Sequence, residues 1–185
     1  FHKAEEGYDH QSTMPDVPPP DKLPSAQELM RGVLDHLPEN MRKYWNREHP
    51  IDVRIVDASR YASRKPQTPA QSIWLRANGT LPDSPHLHQA ILTYASDFTL
   101  LDTALIAHGK VLFDSDIQLA SLDHAMWFHR PFRADDWLLY VQDSPSASGA
   151  RGYCRGSIFD RQGHLVASTV QEGLMRPRET AFQIK

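Results

Sequence analysis

Residues 84–109, Ser84-Pro85-His86-Leu87-His88-Gln89-Ala90-Ile91-Leu92-Thr93-Tyr94-Ala95-Ser96-Asp97-Phe98-Thr99-Leu100-Leu101-Asp102-Thr103-Ala104-Leu105-Ile106-Ala107-His108-Gly109, have the spacing of a helix with one side to bury. Ser84 is a good N-cap and Pro85 suits the first helical position, where its missing N–H costs nothing. Leu87, Ala90, Ile91, Tyr94, Phe98, Leu101 and Leu105 fall on one apolar stripe, and Gly109 supplies a stop. Read as one piece, the helix is roughly 35 Å long. Strand-like runs lie on both sides of it. Upstream are IDVRIVD at 51–57 and SIWLRANG at 72–79, the second closing on the turn formers Asn78-Gly79. Downstream are 118–130, 136–143, 150–160 and 163–176, separated by Pro131, by PSASG at 145–149 and by Arg161-Gln162-Gly163. Such short turns favour antiparallel pairing.

Two strands, one long helix and four strands make an α+β unit in which a twisted antiparallel sheet curls around the helix. That is the hotdog fold, expected over 51–178. Residues 1–50 read as an extension. Eleven of the fourteen prolines lie in the first 85 residues, and Pro15 through Pro24 read as an extended linker. Ser25 and Glu28 then form a capping box ahead of Leu29, Met30, Val33, Leu34 and Leu37, which predicts a short amphipathic helix over about 25–37. Residues 1–14 look like the tail of something missing.

Composition removes several functions. The 20 Lys+Arg against 23 Asp+Glu leave a formal charge of −3, a poor match to phosphate backbones, so nucleic-acid binding is disfavoured. No apolar run approaches the ~18 residues of a membrane span, and the chain reads as soluble and globular. The single cysteine, Cys154, excludes an internal disulfide framework and fits a reducing compartment.

Motifs remove more. His86 and His88 are two apart on a helix, and His124 and His129 five apart on a strand, so neither pair converges on a metal. Serine-hydrolase, P-loop and Rossmann signatures are missing. Arg151 and Arg155 share a strand face and could clamp phosphate, although ordinary surface arginines are the more economical reading. Asn78-Gly79-Thr80 is read as a turn rather than a glycosylation site.

Particular segments carry a family resemblance. They are Tyr94-Ala95-Ser96-Asp97-Phe98, Asp123-His124-Ala125-Met126-Trp127-Phe128-His129-Arg130-Pro131-Phe132, Trp137-Leu138-Leu139-Tyr140, Ser146-Ala147-Ser148-Gly149-Ala150-Arg151-Gly152 and Ala167-Ser168-Thr169-Val170-Gln171-Glu172-Gly173-Leu174-Met175-Arg176. Together they resemble the second half of the type II acyl-CoA thioesterases. The stretch Glu5 to Pro15, with His10-Gln11 and Thr13-Met14-Pro15, is similar to the passage joining the two halves of that family. The resemblance implies a double-hotdog enzyme that hydrolyses acyl-CoA thioesters to a free acid and coenzyme A. Carried over by position, it implies Asp97 as the catalytic aspartate, Gln171 as the glutamine and Ser121 as the hydroxyl residue. Many members have threonine at the third position, so Ser121 keeps the hydroxyl and loses a methyl. Acyl-CoA is the implied substrate, and no cofactor or metal is expected.

The residues themselves offer partial support. Asp97 falls at the border of the helical stripe, where a carboxylate is partly desolvated and suited to deprotonate water. Ser121 and Gln171 could hold that water by hydrogen bonds. Gln171 shares a strand face with Leu165, Ala167 and Thr169, an apolar or small set in which an amide is conspicuous. Asp102, on the other flank of the stripe, is the rival carboxylate, and the family pattern leaves it a structural or surface role. A Ser121–His124–Asp123 triad is disfavoured, because strand alternation puts His124 on the opposite face. Met126, Trp127 and Phe128 read as core and interface packing in preference to an acyl pocket.

Only the second of two repeats is present, so hotdog-to-hotdog pairing is expected, either in a homo-oligomer or with a missing N-terminal repeat. The chain begins at Phe1 and reads as cut or processed. It ends Phe182-Gln183-Ile184-Lys185, which makes a bacterial cytoplasmic setting a better expectation than a peroxisomal one. The competing class is a non-catalytic acyl-CoA-binding or assembly half. An enoyl-CoA hydratase-type hotdog ranks third, since His88 and His108 lie far along the helix from Asp97.

Overall fold

The computed structural model describes residues 5–31, 39, 42–43, 47–59, 63–112 and 114–178. Seven strands are present among them: β1 (Ile51–Ile55), β2 (Ala70–Ala77), β3 (Ile117–Ser121), β4 (Ala125–Phe128), β5 (Leu138–Ser148), β6 (Arg151–Phe159) and β7 (Leu165–Pro177). They form one antiparallel sheet in the order β1-β2-β5-β6-β7, with β3 and β4 both on the outer edge of β7. β3 pairs with residues 173–177 and β4 with residues 167–170. The helices are α1 (Ala26–Arg31), α2 (Pro85–Ser96) and α3 (Asp102–Ile106). The curled sheet packed on α2 and α3 is the expected hotdog arrangement.

The central strands are buried on both faces, which is why their sequences alternate so weakly. Ile73, Leu75, Leu138, Tyr140 and Ile158 face inward onto Leu92, Ala95, Leu100, Leu101, Ala104 and Leu105. Trp74, Leu139 and Phe159 face outward and are covered by Met14, Val17 and Leu23. The proline-rich segment is therefore a strap across the back of the sheet. The Trp74 indole N–H donates to the Pro18 carbonyl at 2.9 Å, and Arg54 donates to the Leu23 carbonyl at 2.7 Å. Gln11 brackets the β6–β7 turn, donating to the Gly163 carbonyl at 2.7 Å and accepting from the Leu165 N–H at 3.0 Å. The capping box forms as expected, with Ser25 N–H to Glu28 at 2.8 Å and Glu28 N–H to Ser25 Oγ at 3.1 Å. Of the helix expected over 25–37, residues 32–38 lie outside the described residues.

The single long helix needs correction: it is broken into α2 and α3. Asp97 is the C-cap of α2, and 97–101 form a turn in which the Thr103 N–H reaches back three residues to Leu100. An unbroken helix would give the Ser96 carbonyl to Leu100 and the Thr99 carbonyl to Thr103. Instead the Tyr140 hydroxyl donates to Ser96 O at 3.1 Å, and the Gln71 amide donates to Thr99 O at 3.0 Å. Gln142 completes the set, accepting from Gln71 at 2.8 Å and Thr103 Oγ1 at 2.9 Å and donating to Thr99 Oγ1 at 2.7 Å. Both helical carbonyls are thus satisfied by the sheet. Tyr140 reaches this position because residue 156 beneath it is glycine. A Cβ there would lie 2.2 Å from the Tyr140 ring and 2.6 Å from Thr169 Oγ1.

Two strand boundaries also move. The segment 118–130 is two strands, interrupted at 122–124 where the Glu172 carbonyl accepts from both Leu122 and Asp123. Conversely, β5 continues through Pro145 to Ser148, because a register shift between Asp143 and Ser146 accommodates Pro145, whose missing N–H would break a regular ladder. The reversal comes later, at Gly149 and Ala150, both with positive φ.

Arg133 and Asp135 fasten the approach to α2. Arg133 donates to both Asp135 oxygens at 3.0 Å and to the Leu81 carbonyl at 2.9 Å, and Asp135 accepts from the Leu81 N–H at 2.8 Å. These bonds, the arginine's foremost, push the Asp135 carboxyl from its ordinary 3.8 down to about 2. A depressed carboxyl stabilises the fold above its unfolded value and loses that contribution as pH falls. Urea midpoints of the wild type should therefore fall between pH 4 and 2 more steeply than those of Asp135→Asn, which should already be lower at pH 7. Gly156→Ala should destabilise by about 1–3 kcal/mol in the same assay, since the added methyl displaces the Tyr140 ring.

Candidate active site

Asp97, Ser121 and Gln171 meet at the broken helix. Gln171 is 0% exposed and stands on the inward face of β7 with Ala167, Thr169, Gly173 and Met175. Its side-chain nitrogen donates one hydrogen to Asp97 Oδ1 at 2.7 Å and the other to Ser121 Oγ at 2.8 Å. This orientation follows from chemistry, because a flipped amide would set its carbonyl oxygen against a carboxylate. Ser121 ends β3 opposite Gly173, and its Oγ lies 3.5 Å from Asp97 Oδ1. Having accepted from Gln171, the hydroxyl directs its one hydrogen at Asp97 Oδ1 across that long contact. Gly173 clears space at the corner, since a Cβ there would fall 2.5 Å from the Leu101 methyls.

One sequence expectation is altered. With both amide hydrogens used, Gln171 holds the other two residues and has no hydrogen left for water. The Asp97 side chain is 55% exposed, a half-covered position at the border of the helix. Every hydrogen bond to its carboxylate among the described residues goes to Oδ1, which leaves Oδ2 to the solvent side. Asp102, the rival, is buried within α3, a structural position and not a surface one.

The alternation argument about His124 fails, because β3 stops at Ser121 and residues 122–124 are not extended strand. The imidazole turns toward α2, with Nε2 2.9 Å from Ser96 Oγ and Nδ1 4.0 Å from Asp97 Oδ1. Asp123 points elsewhere and accepts from the Glu172 N–H at 2.7 Å. The Ser121–His124–Asp123 triad is accordingly not assembled, and Ser121 has no imidazole to activate it. Sequence reasoning missed the His124–Ser96 contact. Its only local signal was Asp123, a residue prone to end strands by bonding backbone.

Comparison with known proteins shows the family. Residues 45–174 match the family described as Acyl-CoA thioesterase. The chain belongs to the acyl-CoA thioesterase family. It is 35% identical over 176 residues to acyl-CoA thioesterase 2 of Haemophilus influenzae, covering 95% of this chain and 62% of that protein. It is 38% identical over 186 residues to acyl-coenzyme A thioesterase 8 of Mus musculus, covering 95% of this chain and 57% of that one. The crystal structure of an acyl-CoA thioesterase II from Mycobacterium marinum superposes with a TM-score of 0.73 at 43% identity, over 95% of this chain and 60% of that chain. A hotdog protein of Alicyclobacillus acidocaldarius, 18% identical with a TM-score of 0.67, shares the fold. The chain thus spans about three fifths of the length of these relatives.

Within this thioesterase-family chain, the remaining candidates are occupied. Arg151 pairs with Glu172 at 3.0 Å and Arg155 with Asp143 at 2.5 Å, so neither arginine is a ready phosphate clamp. His88 is buried and accepts the Ala134 N–H at 3.1 Å. No three His, Cys, Asp or Glu side chains converge as metal ligands among the described residues. Met126 packs on the core, whereas Trp127 is 52% and Phe128 37% exposed, which removes them from the core and sets them on the outer edge strand. Cys154 sits opposite Gln171 in the β6–β7 register, fully buried, and burial pushes its thiol up. It should therefore resist alkylation in the native protein and react stoichiometrically once unfolded in urea, as intact mass would show.

Proposed function

We propose that the chain hydrolyses acyl-CoA thioesters to a carboxylic acid and coenzyme A, with Asp97 as the general base. The carrying observation is that Asp97 Oδ1 is taken by Gln171, at 2.7 Å, while Oδ2 has no partner among the described residues. A carboxylate held by one oxygen and open at the other is oriented to take a proton from water. As Oδ2 removes that proton, the water oxygen bonds to the thioester carbonyl carbon and the carbonyl becomes an oxyanion. The Ser121 hydroxyl, tethered by Gln171, would turn its hydrogen from the long 3.5 Å contact with Asp97 Oδ1 to the oxyanion as charge develops there. Collapse breaks the C–S bond, and the proton on Asp97 is available to the departing thiolate. No acyl-enzyme forms in this scheme, consistent with a serine that lacks a base and a cysteine that is buried.

We further propose that a second hotdog unit, a copy of this chain or another repeat, covers the β4 edge. Beyond β4 no strand pairs with it among the described residues, and Trp127 and Phe128 stand on it exposed. An unpaired edge with an aromatic patch favours a partner. The greater length of the relatives supports the same reading, and a unit there would shield Asp97 from bulk water. No helix among the described residues is long and apolar enough to cross a membrane. The lone thiol fits a reducing compartment such as the cytoplasm.

Thiol release from a series of short to long acyl-CoAs, at matched oligomeric state, tests the activity. Asp97→Asn should lower kcat about 10²- to 10⁴-fold. Full activity in that variant would remove Asp97 from the mechanism. Saturable acyl-CoA binding without turnover in the wild type would instead favour the non-catalytic binding module.

A further inference from the structure

His124 has no task in the hydrolytic reading, yet it stands against the base. Its Nε2 lies 2.9 Å from Ser96 Oγ, while Ser96 donates its only hydroxyl hydrogen to the Thr93 carbonyl at 2.8 Å. A carbonyl can only accept, so Ser96 Oγ accepts from the imidazole and Nε2 carries the hydrogen. In the neutral ring Nδ1 is then the bare nitrogen. That atom is buried, makes no hydrogen bond among the described residues and sits 4.0 Å from Asp97 Oδ1. Leaving a buried acceptor unpaired is unfavourable, so the arrangement calls for a compensating role.

The surroundings supply one. The Ser96–Asp97 corner is where the helix stops, and without its contacts the carboxylate would swing on a short turn. Tyr140 holds the Ser96 carbonyl from the sheet side at 3.1 Å, and His124 holds the Ser96 hydroxyl from the β3–β4 connection. Oδ1 is bordered by Gln171 at 2.7 Å, by Ser121 at 3.5 Å and by the buried imidazole edge at 4.0 Å.

We propose that His124 is a positioning residue for Asp97: its Nε2–H fixes the Ser96–Asp97 corner, and its buried Nδ1 edge closes Oδ1 to water so that the carboxylate works through Oδ2. This rests on the hydrolytic reading of the same site. It makes His124 neither a nucleophile nor a base.

Turnover is measured for wild type, His124→Leu and His124→Gln, together with urea midpoints and the imidazole ¹⁵N resonances of the full chain. His124→Leu should lose about tenfold to a hundredfold in kcat with KM changed less than about twofold. His124→Gln, whose amide nitrogen falls where Nε2 was, should recover most of that loss. Wild-type kcat in His124→Leu overturns the proposal, as does an equal loss in both variants that tracks their urea midpoints. If the wild type releases no thiol, the hydrolytic reading fails separately and the resonances still decide the corner. Hydrogen on Nε2, with a shift in Ser96→Ala, supports the contact; hydrogen on Nδ1, or no response to that substitution, overturns it.

Discussion

A helix carbonyl that loses its N–H must be given another donor, and this requirement organises the molecule. At Ser96 and Thr99 the sheet provides the donors, Tyr140 and Gln71, and the helix stops where they reach it. Asp97 becomes an end-cap facing outward when it would otherwise be one flank of a continuous cylinder. The same requirement explains why Gly156 lies under Tyr140 and why the amides of Gln71 and Gln142 are buried beside the threonines of the turn. An apolar sheet could not hold the helix in two pieces.

Placing the carboxylate at a corner has a chemical consequence. Gln171 spends both amide hydrogens on Asp97 and Ser121, so a single buried side chain sets the distance between a carboxylate and a hydroxyl. The amide nitrogen of Gln171 is fully paired although its Oε1 has no partner among the described residues, and the two bonds of that nitrogen hold the carboxylate by Oδ1. The site is nevertheless open to solvent in one hotdog unit, beside an edge strand with exposed aromatics. Shelter for the reacting groups, where low dielectric strengthens their interactions, would come from whatever covers that edge.

Much of the scaffold was legible locally. Ser25 with Glu28 and Ser84 with Pro85 mark helix starts by chemistry confined to four residues, and the structure forms both starts, although the Ser84 hydroxyl makes no cap bond. What could not be read depends on partners far along the chain. The helix break needs Tyr140 and Gln142, about forty residues beyond it, and no glycine or proline announces it. Leu122-Asp123-His124 looks like strand until the Glu172 carbonyl takes two of its N–H groups. Pro145 reads as a turn because a bulge that spares its missing N–H is visible only in the paired register. Family resemblance brought Asp97, Ser121 and Gln171 forward together. Alternation alone hid His124, since the rule was applied across a strand that had ended.

The central claim is that water attacks the thioester directly, activated by Asp97, with no covalent intermediate. It is tested by a single turnover in H₂¹⁸O with protein in excess over acyl-CoA, followed by mass analysis of the released acid and of the protein. The account predicts one ¹⁸O in the acid, no label in the peptide bearing Asp97 and no acylated protein at any time. Label on Asp97, or an acyl group on Ser121 or Cys154, would contradict it.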